Sequence, residues 1–219
     1  MTSGVANFTS HTNRSAPEES GEIDINIDTT GTLEFITAGE SFEARIELFQ
    51  EIAEANFEYV VYFRDNTIYI NAMEAMGINI STPKVASTPL SLVNFDLNFS
   101  ETDILTQSAE ATDSGYRLMF TLGTDAVLLA LEEQLNERLE AEEINDYEYV
   151  VTIILDQDRM MARVETEITV SHEVDDGEYE FAITTSVEIE EDDSISFEIP
   201  DELDDIIEMP EDSITLPMF

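Results

Sequence analysis

The stretch Gly115–Leu155, GYRLMFTLGTDAVLLALEEQLNERLEAEEINDYEYVVTIIL, decides how the rest of the chain is read. Tyr116, Leu118 and Phe120 alternate with Arg117, Met119 and Thr121, the period of a strand with one face buried. Gly123 and Thr124 break that alternation, and Thr124 is placed to cap a helix, its hydroxyl accepting a bond from an orphan backbone amide. From Asp125 to Glu143, Val127, Leu128, Leu131, Leu135 and Leu139 recur at helical spacing while Glu132, Glu133, Glu137 and Glu140 face away, which predicts a helix of about five turns. Tyr147–Leu155 is strand again.

Outward from this stretch, alternation dominates. Towards the N-terminus, Ile23, Ile25 and Ile27 interleave with acidic residues from Gly21 onward, Thr30-Gly31 reads as a turn, and Leu33 and Phe35 resume the strand. Phe42, Ala44, Ile46 and Leu48 point one way, with Glu43, Arg45 and Glu47 opposed; for Gln50–Asn56 helix propensity favours a helical turn, whereas the strands on either side favour continued strand with a bulge, the reading taken here. Phe57–Asn71 is a hairpin about Asp65-Asn66, two residues tolerant of positive φ. Met73, Met76 and Ile78 fall in a loop ended by Pro83. Pro89 starts a predicted helix through Leu90, Val93 and Leu97, and Ser100-Glu101-Thr102-Asp103 starts another through Ile104, Leu105 and Ala109.

Towards the C-terminus, Tyr147–Glu190 reads as an antiparallel meander with turns at Asp156-Gln157-Asp158 and Asp175-Asp176-Gly177, followed by a strand at Ser194–Ile199. Residues 1–20, rich in Ser, Thr and Asn and without a period, read as a flexible tail, and residues 204–219 as a second tail, acidic and apolar. Between them lies one expected domain, residues 21–203.

The charge is lopsided: 50 acidic residues against 8 basic give −42, in a chain that is 42% hydrophobic. Such a surface repels phosphate backbones, since every favourable nucleic-acid contact needs Lys or Arg to displace counterions. Nucleic acid is thereby excluded as a partner. Self-repulsion also makes the folded state depend on screening, which points to a salt-rich or alkaline setting. One lysine beside seven arginines fits the halophile habit of replacing surface Lys with Asp and Glu; a mesophilic envelope protein that is merely acidic is the alternative. With no cysteine there is no disulfide framework and no thiolate chemistry. No apolar run approaches the ~20 residues of a membrane-spanning helix.

Catalytic signatures are lacking. Ser171, His172 and Glu173 are consecutive in a predicted strand, so neighbours point to opposite faces and cannot form a triad. The acidic runs at Glu188–Asp193 and Asp175-Asp176 lack the alternating ligands and glycine of a calcium loop and read as solvated. The Asn-X-Ser/Thr triplets at Asn7, Asn13, Asn79 and Asn98 are glycosylation acceptors by pattern.

One resemblance stands beside this reading. The segment Tyr62-Phe63-Arg64-Asp65-Asn66-Thr67-Ile68-Tyr69-Ile70, the methionine loop, Gly115-Tyr116 entering a strand, the leucine helix and Ser196-Phe197-Glu198-Ile199-Pro200 together resemble the LolA-like and LppX-like envelope lipoproteins over about Gly21–Leu203. The resemblance implies an α+β fold, a strongly curved antiparallel sheet or incomplete barrel with helices packed on its concave side. It also implies a non-enzymatic, exported protein of the cell envelope that needs no cofactor or metal and binds a lipid or other hydrophobic molecule between sheet and helices. The lining residues are then expected among Ile46, Leu48, Val61, Phe63, Ile68, Ile70, Leu118, Leu131 and Leu135. An envelope protein is the other expected partner, and a membrane is expected only through an anchor outside this sequence. The competing expectation is a salt-adapted extracellular interaction or structural module whose core is filled and holds no ligand.

Overall fold

The computed structural model describes residues 2–18, 21–38, 41–52, 55–72, 78–83, 88–93, 99–135, 144–174, 177–197 and 206–208. The chain divides into two compact units, one of Met1–Phe8, Thr29–Asp96 and Ile189–Phe219, the other of Thr9–Asp28 and Leu97–Glu188.

In the first unit the strands are the start of β1 (Thr2–Glu18), the latter part of β2 (Gly21–Ala38), β3 (Ser41–Ile52), β4 (Ala55–Arg64), β5 (Thr67–Ala72), β6 (Ile78–Pro83) and β12 (Ile206–Glu208). They lie in the order β12-β6-β5-β4-β3-β2-β1. β3–β4, β4–β5 and β5–β6 pair antiparallel, and β12 pairs parallel with β6. Alternation in β3 becomes a buried row of Ala44, Ile46, Leu48 and Gln50, and Ile46 faces Val61, which faces Ile70. Asp65 and Asn66 both adopt positive φ, 51° and 56°, the twist that suits a two-residue hairpin.

The second unit holds the rest of β1 and β2 with β7 (Ile104–Thr112), β8 (Gly115–Leu122), β9 (Ile144–Leu155), β10 (Met161–Val174) and β11 (Gly177–Glu191), in the order β2-β1-β11-β10-β9-β8-β7. One helix, α1 (Thr124–Leu135), packs on it through Val127 and Leu131 against Ile168 and Val170 of β10 and Phe181 and Ile183 of β11. Ala130, Ile144, Tyr147 and Tyr149 close round that cluster. In the next row a buried hydroxyl group interrupts the apolar face: Thr166 stands opposite Thr185, whose Oγ1 lies 3.2 Å from Ser10 Oγ.

Several expectations are corrected here. The fold is a nearly all-antiparallel sheet rather than α+β with helices packed on a concave side: among the described residues α1 is the one α-helix. Where helices were expected after Pro89 and Ser100 there are single 3-10 turns, Leu90–Val93 and Glu101–Asp103. Ser100 and Asp103 do form a capping box, but the chain then enters β7, because Ile104, Thr106 and Thr112 are β-branched and β8 offers a full ladder. Thr2–Glu18, expected as a tail, is strand β1. Its buried side is made of small residues and one ring, Gly4, Ala6, Phe8 and Ser10, so its period carries little hydrophobic contrast.

Gly31 is not a turn. It sits within β2, where a Cβ would stand 2.1 Å from Phe8 Cζ, so glycine here makes room for a ring. The expected bulge at Gln50–Asn56 is a chain reversal, with Ile52 opposite Ala55. In place of the start of the strand expected at Ser194–Ile199, residues 194–197 follow a turn at Asp192, whose carboxylate accepts from the backbone and hydroxyl of Ser194. The capping role expected of Thr124 is also different: Val127 N–H bonds to Gly123 O at 3.2 Å, and the Thr124 hydroxyl donates to Tyr147 Oη at 3.0 Å. The helix beyond Leu135, the Asp175-Asp176 turn, Met73, Met76 and residues 209–219 lie outside the described residues.

Candidate functional site

The expected lining residues fall into two separate groups. Six of them share one face of β3, β4 and β5 in the first unit, where residue parity and register bring them together. That face is sealed: Ile46 is 1% exposed, Leu48 3%, Val61 0%, Phe63 2%, Ile68 1% and Ile70 6%. A void able to hold a ligand would leave its walls open to a water-sized sphere, so side chains at these exposures are in contact with protein atoms. Phe63 also stacks on Phe42 with ring centroids 4.8 Å apart.

The other three belong to the second unit. Leu131 is 1% exposed and is part of the α1 cluster. Leu118 is half-buried on β8, opposite Ala109 and Ile153. Leu135 ends α1, and its side chain lies outside the described residues.

Sequence reasoning missed an open cleft of about 880 Å³ in the second unit. The register places Glu148, Thr169 and Ala182 in one row and Asp146, Ser171 and Glu180 in the next, on the face opposite Ile168 and Val170. Asn13, Leu105, Thr121 and Asn145 complete its polar rim and outer edge, while the buried Leu122, Val170 and Phe181 and the half-buried Tyr147 also line it. Its volume lies in the range of ligand clefts. Its electrostatics are one-sided: three carboxylates, Asp146, Glu148 and Glu180, and among the described residues no cationic side chain line it, so an anionic headgroup is disfavoured there. Only an alternation of acidic and small polar residues marked this face, and that pattern is shared by most strands of the chain.

Cations serve the sheet instead. Arg45 bridges Glu34 on the neighbouring strand, at 3.0 Å, and Glu47 on its own. Arg64 Nε meets Glu43 across the β3–β4 pair at 2.9 Å. Arg163 binds Glu165 at 2.6 Å and Glu188 at 3.2 Å and donates to Ser186. Each relieves like-charge crowding on a strand face.

Two carboxyl groups are held below the ordinary value of 3.8. Asp103 is lowered by the Ser100 backbone amide and then by its hydroxyl; Asp192 by the Ser194 hydroxyl and then by its amide. Both are exposed turn elements rather than reacting groups. His11 Nδ1 lies 2.6 Å from Asp28 Oδ1 on the solvent side of β1 and β2, with no nucleophile in the bond. His172 is on β10, and its side chain lies outside the described residues. Among the described residues no group of three or more His, Asp and Glu is arranged to hold a metal ion, and no helix is long and apolar enough to cross a membrane. No protein-family model matches this chain, and no curated protein matches it.

Proposed function

We propose that this protein is a non-enzymatic, salt-adapted interaction module of the cell exterior, an antiparallel sheet whose core is filled. The observation that carries the reading is the closure of Ile46, Leu48, Val61, Phe63, Ile68 and Ile70, the residues a lipid would have to touch. The acidic lining of the one cleft described adds to it, because that cleft disfavours an anionic lipid. A surface of −42 with so few lysines supports a salt-rich environment, and the absence of cysteine leaves the fold indifferent to redox conditions. The likeness to the LolA-like and LppX-like lipoproteins enters only as support for an exported location.

The test is purification without detergent in molar salt, organic extraction, and mass spectrometry of the extract, together with uptake of a fluorescent fatty acid. The filled-core reading expects no stoichiometric lipid and no saturable uptake. Recovery of a lipid at a constant molar ratio would replace it with a carrier function.

A further inference from the structure

We propose that the free edge of β7 pairs with β7 of a second copy of this chain, antiparallel about a two-fold axis at Ser108. This rests on the interaction-module reading and names its partner.

β7 closes the strand order of its unit and is hydrogen-bonded only to β8 among the described strands, in register from Thr106 opposite Thr121 to Thr112 opposite Gly115. From Leu105 to Thr112 every residue is exposed, so both faces as well as the outer edge are open. Free edges are ordinarily blunted by lysine, proline, inward charges or bulges. β7 has neither lysine nor proline, carries a single charge, Glu110, and is irregular only at its start, between Ile104 and Thr106. In a chain with 50 acidic residues, a strand this bare of carboxylates is the easiest place for two copies to meet.

Four of the seven large apolar side chains exposed among the described residues lie on β7, β8 and the adjoining β9–β10 turn, the others being Ile25, Phe49 and Leu129. Leu105 on β7 is 59% exposed, Met119 on β8 44% and Met160 57%, and Tyr116 is also exposed. Met160 belongs to the β9–β10 turn, which is fastened to the β7–β8 hairpin by Gln157 Nε2 donating to Asp113 O at 3.4 Å and by Arg159 lying 5.8 Å over the Tyr116 ring.

The strand is compatible with itself. About Ser108, Gln107 faces Ala109, Thr106 faces Glu110 and Leu105 faces Ala111, so no carboxylate meets another. A strand such as β10, with Glu165, Glu167 and Glu173, offers no such register-wide neutrality. Two-fold pairing also consumes both free edges at once and ends in a closed pair rather than a fibre. Repulsion between two bodies of −42 opposes the approach, and only short screening lengths, ~3 Å at 1 M salt against ~10 Å at 0.1 M, let the edges meet.

Sedimentation velocity of the full chain from ~0.1 to ~3 M KCl tests the pairing. The expected result is a monomer at low salt and a discrete dimer at high salt, with slowed amide exchange in β7. S108K, at an exposed site, sets two ammonium groups face to face at the axis and is expected to weaken the dimer at least ~10-fold with an unchanged melting temperature. A109P, on the alternate position whose N–H points away from β8, removes a backbone donor from the free edge and gives the same loss. A chain monomeric at every salt, a dimer that survives both substitutions, or open-ended assembly would overturn the proposal. A lipid-free monomer removes this pairing and leaves the filled-core reading standing; recovered lipid removes the reading itself.

Discussion

Ser10 and Thr185 stand on neighbouring strands, 5% and 1% exposed, with their hydroxyl oxygens 3.2 Å apart in a buried row that Thr166 shares. A buried hydroxyl without its partner retains its desolvation cost. Thr185→Val is therefore expected to lower stability by about 1–3 kcal/mol, and the pair Ser10→Ala with Thr185→Val to cost less than the sum of the two. Urea unfolding of the full cycle measures the coupling. Additive effects would mean that the hydroxyls are satisfied elsewhere.

Gly31 makes a second local claim. A methyl group there would stand 2.1 Å from Phe8 Cζ and 2.7 Å from Glu47 O, and Phe8 is itself sealed. Gly31→Ala is expected to cost about 1–3 kcal/mol through overpacking, and Phe8→Leu in that background to recover part of it. Thermal unfolding of the single and double variants decides whether the ring is the obstacle.

Packing of the β3–β5 face is measurable directly. If Ile46 and Val61 are core rather than the walls of a cavity, Ile46→Ala should destabilise by about 2–5 kcal/mol. A loss below ~1 kcal/mol would indicate room beside the side chain.

Salt dependence follows from the charge. At −42 the folded chain stores self-repulsion that counterions relieve, so the melting temperature should climb as KCl rises from millimolar to molar. Sucrose at equal osmolarity should not reproduce the rise. An identical melting temperature across that range would remove the salt-adapted part of the proposal.

Acid titration has two opposing arms. From pH 7 towards the isoelectric point near 4.1, protonation of surface carboxylates reduces repulsion, and stability in low salt should rise. Asp103 and Asp192 act the other way. With folded-state values below 3.8, each contributes stability that is fully present above 3.8 and is lost as pH falls through its lower folded-state value. Scanning calorimetry from pH 7 to 3 should show a maximum, and Asp103→Ala should flatten the acid limb alone. A steady decline from pH 7 would contradict the first arm.

How much of this was legible beforehand depended on contrast. β3, β4 and β5 could be read because Ile46, Val61 and Ile70 alternate with charged or aromatic neighbours, and Asp65-Asn66 is chemistry that only a tight turn needs. The core face of α1 was legible for the same reason at a different period, through Val127 and Leu131. β1 was not, because Gly4, Ala6 and Ser10 bury well without being hydrophobic by type. β7 was misread because a sound capping box at Ser100 is a local signal, and the ladder with β8 that overrides it is a tertiary one. The nine expected lining residues were chosen by hydrophobicity, which cannot separate a wall from a filling. The cleft escaped because its polar rows, such as Glu148, Thr169 and Ala182, assemble from three strands.

The bond between Ser10 and Thr185, and the one from Ser3 Oγ to Asp192 O at 2.8 Å, join residues 175 and 189 positions apart in the chain. Each unit draws its strands from segments far apart in the sequence. A ribosome making this protein therefore releases β1 and β2 long before β11 exists, and neither unit can finish until β11 has emerged. Folding must then await the synthesis of β11 and run slowly, as sheets of high contact order do. Until then the early strands wait with their pairing partners unmade, a state that a holding chaperone would have to shield.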